Sequence, residues 1–78
     1  MNILSQRLKE LRTERAITQK ELADLIGTNN SSVCDWERGR TEPNLDALVR
    51  LSAYFSVSTD YLLGLEDEEG NKITLFRF

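Results

Sequence analysis

The segment from Thr18 to Gly39 most constrains how this chain of 78 residues can fold. Thr18 is followed three residues later by Glu21. This spacing is a capping box, in which the hydroxyl and the carboxylate each satisfy a free backbone N–H at the start of a helix. Gly27 then ends the helix, because glycine adopts the left-handed backbone of a helix terminus at low cost. The segment therefore opens with a short helix and a sharp turn.

A second helix follows this turn, and its two faces differ in chemistry. Thr28 or Asn29 caps its start, and it runs to about Glu37. Val33 and Trp36 lie three residues apart on its inward face. Its outward face carries the short polar side chains of Asn30, Ser31, Cys34 and Asp35. The basic residues Arg38 and Arg40 lie at the end of the helix and just after it. Short hydrogen-bonding groups suit close approach to base edges in nucleic acid.

Three further helices are predicted around this pair, so the chain is expected to be all-α. An apolar stripe predicts the first helix over residues 3–14, and a Pro43–Asn44 turn precedes the fourth, over about 45–55. Ser58 caps a last helix that Gly64 stops. The residues assigned to the buried face of the second helix are Leu22, Ala23, Leu25 and Ile26. Those assigned to the buried face of the fifth helix are Tyr61, Leu62 and Leu63. The fourth helix carries Leu45, Leu48, Val49 and Leu51 at helical spacing.

The charge is distributed unevenly between the helical region and the tail. Residues 1–64 hold eight basic and nine acidic residues, whereas residues 65–78 hold two basic and four acidic, for a net charge of -3. The helical region is thus nearly neutral, which predicts modest nonspecific affinity for DNA. This shift in composition divides the chain into a helical domain, 1–64, and a tail, 65–78.

Composition also argues against several functions. The chain has no histidine and only one cysteine, Cys34, so no zinc site is expected. A single cysteine cannot form an internal disulfide, and we therefore expect the chain to function in a reducing cytoplasm. No apolar run approaches the roughly 20 residues that span a bilayer. A phosphate-binding glycine loop, a dinucleotide fingerprint and a spaced carboxylate pair are all absent from the sequence, so neither an enzyme nor a cofactor is predicted.

Residues 5–64 resemble the phage-repressor type of helix-turn-helix domain, the Xre family that includes the lambda and 434 repressors and the Cro proteins. Counted from Gln19, the positions that carry the match are Leu22, Ala23, Ile26, Gly27, Val33 and Trp36. The segments RLKELR, TQKELA, WERGR and PNLDALVRLSAYFSVSTDYLL extend it. The resemblance implies a five-helix lambda-repressor-like domain that binds double-stranded DNA and regulates transcription as a repressor. In such a complex the third helix (about 29–37) would lie in the major groove.

The resemblance also implies roles for individual residues. The residues that correspond to phosphate contacts are Gln19, Asn29, Arg38 and Arg40, and those that correspond to base contacts are Asn30, Ser31 and Asp35. Asparagine can pair with adenine and aspartate can accept from cytosine N4. Asp35 departs from the pattern of many relatives, and it either selects cytosine or suppresses nonspecific binding. Arg12 and Glu37 correspond to a partly buried ion pair that holds the first helix against the end of the third.

The tail, LEDEEGNKITLFRF, lies outside the resemblance. Its acidic cluster and Gly70–Asn71 predict a turn or linker, and residues 73–78 are β-prone with Phe76 and Phe78 on one side. We expect these phenylalanines to form a dimer contact with the fourth and fifth helices, which would set two recognition helices about 34 Å apart on a palindromic operator. The alternative is a protein-interaction module, such as an antitoxin whose tail binds a partner protein. The acidic charge and Asp35 favour it, whereas the basic residues near the third helix oppose it.

Overall fold

The computed structural model describes residues 2–72 of the chain. Its helices are α1 (Ile3–Glu14), α2 (Gln19–Ile26), α3 (Asn30–Arg38), α4 (Leu45–Phe55) and α5 (Thr59–Leu63). No strand is present among these residues, where a single antiparallel bridge joins Glu66 and Lys72. The predicted all-α, five-helix fold is confirmed. The β-prone segment 73–78 lies outside the described residues.

Local hydrogen bonds determine where the helices begin and end. Each helix starts at a side chain that accepts the backbone N–H of the residue three positions later, and these caps are Asn2, Thr18, Asn29, Asn44 and Ser58. Thr18 and Glu21 make both bonds of the predicted capping box. Asn29, rather than Thr28, caps α3. α2 ends at Gly27, which has a φ of 77° in the left-handed region as expected.

The core lies where α2 packs against α3 and α4 while α1 packs against α3 and α5. Its buried residues are Leu8, Leu22, Ala23, Ile26, Val33, Trp36, Leu51, Phe55 and Leu62. Val33 and Trp36 therefore seat the inner face of α3 in the core, as predicted. This packing leaves the opposite face of α3 in solvent.

Two residues assigned to buried faces are exposed instead. Leu25 of α2 is 56% exposed, because it lies about 100° around the helix from the centre of the face that packs on α3 and α4. Leu63 is 48% exposed, because Leu62 occupies the core and the next side chain of α5 turns away from it. The predictions of burial for Leu25 and Leu63 are therefore wrong.

The outer side of α4 is apolar and uncovered within the described residues. Leu45 is 80% exposed and Val49 is 61% exposed. They lie four residues apart, and therefore on one face of the helix. Only Leu51 and Phe55 of this helix are buried. The apolar spacing of α4 thus serves two surfaces, one in the core and one in solvent.

The turn between α2 and α3 is fastened to α4 by Arg50. The Nη1 atom of Arg50 donates to the carbonyl oxygen of Ile26, 3.0 Å away, and so satisfies a free carbonyl at the end of α2. A Cβ atom at Gly27 would lie 2.8 Å from the same Nη1 atom. Glycine is therefore favoured at the turn by the backbone conformation and by the close approach of Arg50.

Residues 65–72 form a turn that packs on α1 and α5. Arg7 of α1 donates from Nη1 to the carbonyl oxygen of Glu66 at 2.7 Å, and to the carbonyl of Tyr61. Its guanidinium also lies 4.1 Å from the centre of the Tyr61 ring. Lys72 pairs with Asp60 and with Glu66. The acidic cluster, predicted to be a turn or a linker, is thus a turn held by cations.

Candidate nucleic-acid interface

The first turn of α3 presents two polar side chains to solvent. Asn30 and Ser31 are both exposed, and neither side chain forms a hydrogen bond with another residue in the range 2–72. Asp35 lies one turn later on the same face and is half-buried. Asn29, at the cap, uses its Oδ1 atom to accept from the backbone N–H of Ser32 at 2.8 Å, which leaves its amide N–H groups available. Donors and acceptors thus line one exposed edge of the helix.

Two arginines lie at the far end of this helix. Arg38 is the last residue of α3, and Arg40 follows after Gly39, whose φ of 75° reverses the chain. The backbone N–H of Arg40 donates to the carbonyl oxygen of Asp35 at 2.9 Å. Both arginines are exposed, and neither pairs with a carboxylate of the described residues. Their charges are therefore free to attract an anion.

Arg12 and Glu37 are brought together although they are distant in sequence. The Nε atom of Arg12 lies 2.6 Å from one carboxylate oxygen of Glu37, and Nη2 lies 3.0 Å from the other. Nη1 of Arg12 donates to the carbonyl oxygen of Ile17 at 2.8 Å. Glu37 is only 4% exposed. This two-pronged pair joins α1 to the end of α3, and the hydrogen bond to Glu37 raises the pKa of Arg12 above its ordinary value.

Gln19 joins the same network from the start of α2. Its Nε2 atom donates to Glu37 at 3.1 Å. A carboxylate can only accept hydrogen bonds, so the amide nitrogen of Gln19 must face Glu37. One N–H and the carbonyl oxygen of the side chain remain for other contacts. This link was not predicted, because nothing in the spacing of residues 19 and 37 indicates it.

An open cleft lies beside this network, between α1, the start of α2 and α3. We call it the α1–α3 cleft, and its lining residues are Lys9, Arg12, Gln19, Cys34, Glu37 and Arg38. Lys9 was not predicted as a site residue. A signal for it exists in the sequence, because it precedes Arg12 by three residues and hence shares a face of α1 with it.

Within residues 2–72, no group of three acidic or cysteine side chains is arranged to hold a metal ion. Nor does that part of the chain contain a helix with the length and apolar character required to cross a membrane.

Comparisons with known proteins agree with this geometry. A family model described as helix-turn-helix matches residues 8–62. Over 69 residues the chain is 44% identical to the HTH-type transcriptional regulator ImmR of Bacillus subtilis, a match that covers 88% of this chain and 54% of ImmR. The chain thus spans about half the length of that relative.

Solved structures show the same arrangement of helices. The P22 c2 repressor in complex with synthetic operator 9T superposes with a TM-score of 0.76 at 35% identity, covering 81% of this chain and 96% of that one. The N-terminal DNA-binding domain of SinR from Bacillus subtilis gives a TM-score of 0.74 at 30% identity, with coverages of 85% and 94%. The chain belongs to the helix-turn-helix family of transcriptional regulators, and within it to the phage-repressor type.

Proposed function

We propose that this chain is a sequence-specific regulator of transcription, acting as a repressor, that inserts α3 into the major groove of double-stranded DNA. The observation that carries the proposal is the first turn of α3. There Asn30 and Ser31 are exposed and make no side-chain hydrogen bond to another described residue. Polar side chains without an internal partner are available to pair with base edges, which present a distinct pattern of donors and acceptors for each base pair.

The surrounding residues have the chemistry of backbone contacts. Arg38 and Arg40 supply positive charge at the end of α3, and Gln19 and Asn29 supply amide N–H groups at the starts of α2 and α3. Contacts to phosphates position a protein on DNA without reading its sequence. We assign these four residues to phosphates, and Asn30, Ser31 and Asp35 to bases.

Asp35 has a separate role in this proposal. It is half-buried and lies deeper than Asn30 and Ser31 on the same face of α3. A carboxylate near phosphates is repelled unless it accepts from a donor, and cytosine N4 is such a donor in the major groove. We therefore expect either a cytosine opposite Asp35 or, if no base is preferred there, weaker binding to all nonspecific DNA.

The relatives support DNA as the ligand. The P22 c2 repressor, which shares this fold, was solved with a synthetic operator. The names of ImmR and of the SinR domain refer to transcriptional regulation and to DNA binding. These relatives do not favour the antitoxin alternative. A cytoplasmic location and a function in binding rather than catalysis belong to the same proposal.

The proposal is tested by selecting bound sites from random duplex DNA and comparing two variants on the selected site. Asn30→Ala is expected to change the preferred base at one position, at a cost of about 1–3 kcal/mol on the original site. Arg38→Ala is expected to weaken all sequences similarly and to reduce the dependence of binding on salt. Affinities are measured by fluorescence anisotropy across a salt series.

Two results would contradict the proposal. If the wild-type chain selects no site and binds no duplex even at low salt, DNA is not the ligand. If Asn30→Ala and Arg38→Ala have the same effect on every sequence, α3 does not read bases.

A further inference from the structure

The end of α2 lacks a cation of its own, and Arg50 of α4 supplies one. α1 and α3 each carry a basic residue in the last turn, whereas α2 carries none. The last carbonyl groups of a helix have no partner within it and bear partial negative charge. Arg50 donates to one of them, that of Ile26, at 3.0 Å, and it pairs with no carboxylate in residues 2–72. Its guanidinium is therefore committed to the end of α2.

This hydrogen bond crosses an open cleft between α4 and the turn that leads into α3. Residues of both sides line the cleft, among them Gly27, Thr28, Ser32, Trp36, Asn44 and Arg50. In the described part of the chain, no second hydrogen bond joins residues 26–36 to residues 41–50. Hydrophobic packing is non-directional, whereas a hydrogen bond has a defined distance and angle. The bond from Arg50 therefore fixes the turn relative to α4.

The turn in its place determines where the first turn of α3 lies. Gly27 ends α2, and Asn29 caps α3 two residues later. A Cβ atom at Gly27 would lie 2.8 Å from Nη1 of Arg50, so the guanidinium rests directly on the turn. A displacement of the turn would carry Asn30 and Ser31 with it, because they begin α3. A hydrogen bond to a base edge tolerates donor–acceptor distances of only about 2.7–3.2 Å.

We propose that Arg50 is a positioning residue for base reading, which sets where the first turn of α3 meets the base edges by holding the carbonyl of Ile26. The inference rests on the proposed function and adds to it a residue of α4 that contacts neither base nor phosphate. Loss of the bond lowers the preference for the correct site over other DNA and keeps the general attraction to phosphates. A residue that only stabilised the fold would not change this preference in protein that stays folded.

Arg50→Met tests the proposal, since methionine is a good helix former with a long apolar stem and cannot donate to Ile26. Arg50→Gln is a second variant, so the test does not depend on one replacement, and Arg50→Lys keeps a donor on a long stem. The matched control is Arg15→Met. Arg15 also braces α4, with its guanidinium 5.1 and 5.5 Å from the ring centres of Tyr54 and Phe55, but it does not line the cleft.

Each protein is titrated with the site selected from random DNA and with a random-sequence duplex, at a temperature at which circular dichroism shows it to be folded. For Arg50→Met and Arg50→Gln, we expect the ratio of the two affinities to fall about 10-fold, the effect of one charge-assisted hydrogen bond. The slope of log affinity against log salt on the random duplex keeps its wild-type value. Arg50→Lys restores most of the ratio. Arg15→Met leaves the ratio unchanged although it melts at a lower temperature.

An unchanged ratio in Arg50→Met and Arg50→Gln, or an equal fall in Arg15→Met, would show that Arg50 only stabilises the fold and would overturn the proposal. A salt slope lowered by about 0.9 would also overturn it, because Arg50 would then neutralise a phosphate itself. In each of these cases the wild type still prefers its selected site, and the proposed function stands. A wild type that binds both duplexes equally would instead refute the proposed function, and the positioning role would fall with it.

Discussion

At the scale of single residues, Glu37 has the most consequences for both fold and interface. Its buried carboxylate accepts from Arg12 on α1 and from Gln19 on α2, so one side chain of α3 connects three helices. A buried charge is tolerated only when it is paired and hydrogen-bonded. If one partner is removed, the other stays buried without a counter-charge, and its desolvation cost is no longer offset. The stability of the domain and the orientation of Gln19 therefore depend on the same residue.

We predict that Glu37→Ala lowers the free energy of unfolding by about 3–5 kcal/mol, because it leaves the guanidinium of Arg12 without its carboxylate. Urea denaturation followed by the fluorescence of Trp36 measures this loss. Glu10→Ala is the control, since Glu10 is an exposed glutamate of α1 with no ion pair in residues 2–72, and we expect a change within about 0.5 kcal/mol. Identical unfolding of Glu37→Ala and the wild type would disprove the role of the ion pair.

At the scale of elements, the turn formed by residues 65–72 depends on carboxylates for its own structure. Asp67 accepts the backbone N–H groups of Glu69 and Asn71 at 3.0 and 2.8 Å, which lowers its pKa below the ordinary value, with the bond from Asn71 as the main cause. Hydrogen bonds from Lys72 and Ser58 lower the pKa of Glu66. The turn is therefore held by groups that are needed in their charged form.

Acid should loosen this turn. A carboxyl group whose pKa is lower in the folded state than in the unfolded state stabilises the fold at pH values above its unfolded pKa. The ordinary, unfolded pKa is 4.5 for Glu66 and 3.8 for Asp67. That contribution is lost as the pH falls through the folded values. We predict that the amide resonances of Glu69 and Asn71 move toward unfolded positions below about pH 4 in an NMR titration.

Asp67→Asn is the matched variant for this titration, because it keeps an acceptor oxygen and removes the ionisable group. The shifts of Glu69 and Asn71 that depend on Asp67 should then disappear, while those around Glu66 remain. Amide resonances that titrate identically in the variant and the wild type would show that Asp67 does not hold the turn.

At the scale of the whole molecule, the domain has an uncovered apolar surface within the described residues. Leu45 and Val49 of α4 and Leu63 at the end of α5 are 80%, 61% and 48% exposed. Exposed apolar side chains that form a patch mark interaction sites on soluble proteins. We propose a homodimer through this side of α4 and α5, in which a pair of α3 helices would meet half-sites one DNA turn apart. The proposed contribution of Phe76 and Phe78 concerns residues outside the described range.

We predict that replacing both Leu45 and Val49 by glutamate converts the dimer to a monomer, because two charges would then be buried without partners. Sedimentation equilibrium measures the mass. Leu25→Glu is the control, since Leu25 is an exposed leucine of α2 at 56%, and it should leave the mass unchanged. A wild-type chain that is monomeric at all concentrations, and also on DNA, would contradict the dimer.

The positions of all five helices were determined by the sequence itself, because capping is local. A side chain such as Thr18, Asn29 or Ser58 bonds to a backbone group three residues away, and Gly27 and Gly64 end helices through their own φ angles. These interactions depend on neighbouring residues and so can be read from spacing. The family pattern added the proposed base contacts of α3 and the pairing of Arg12 with Glu37.

Only the tertiary structure decided which apolar residues are covered and which polar residues meet. Leu25 and Leu63 have the helical spacing of core residues, yet no neighbouring element of the described chain covers them fully. Gln19 reaches Glu37, and Lys9 shares a cleft with Arg38, because α1, α2 and α3 cross at this point of the fold. Such contacts depend on how helices pack, a property of distant residues that periodicity along one helix does not contain.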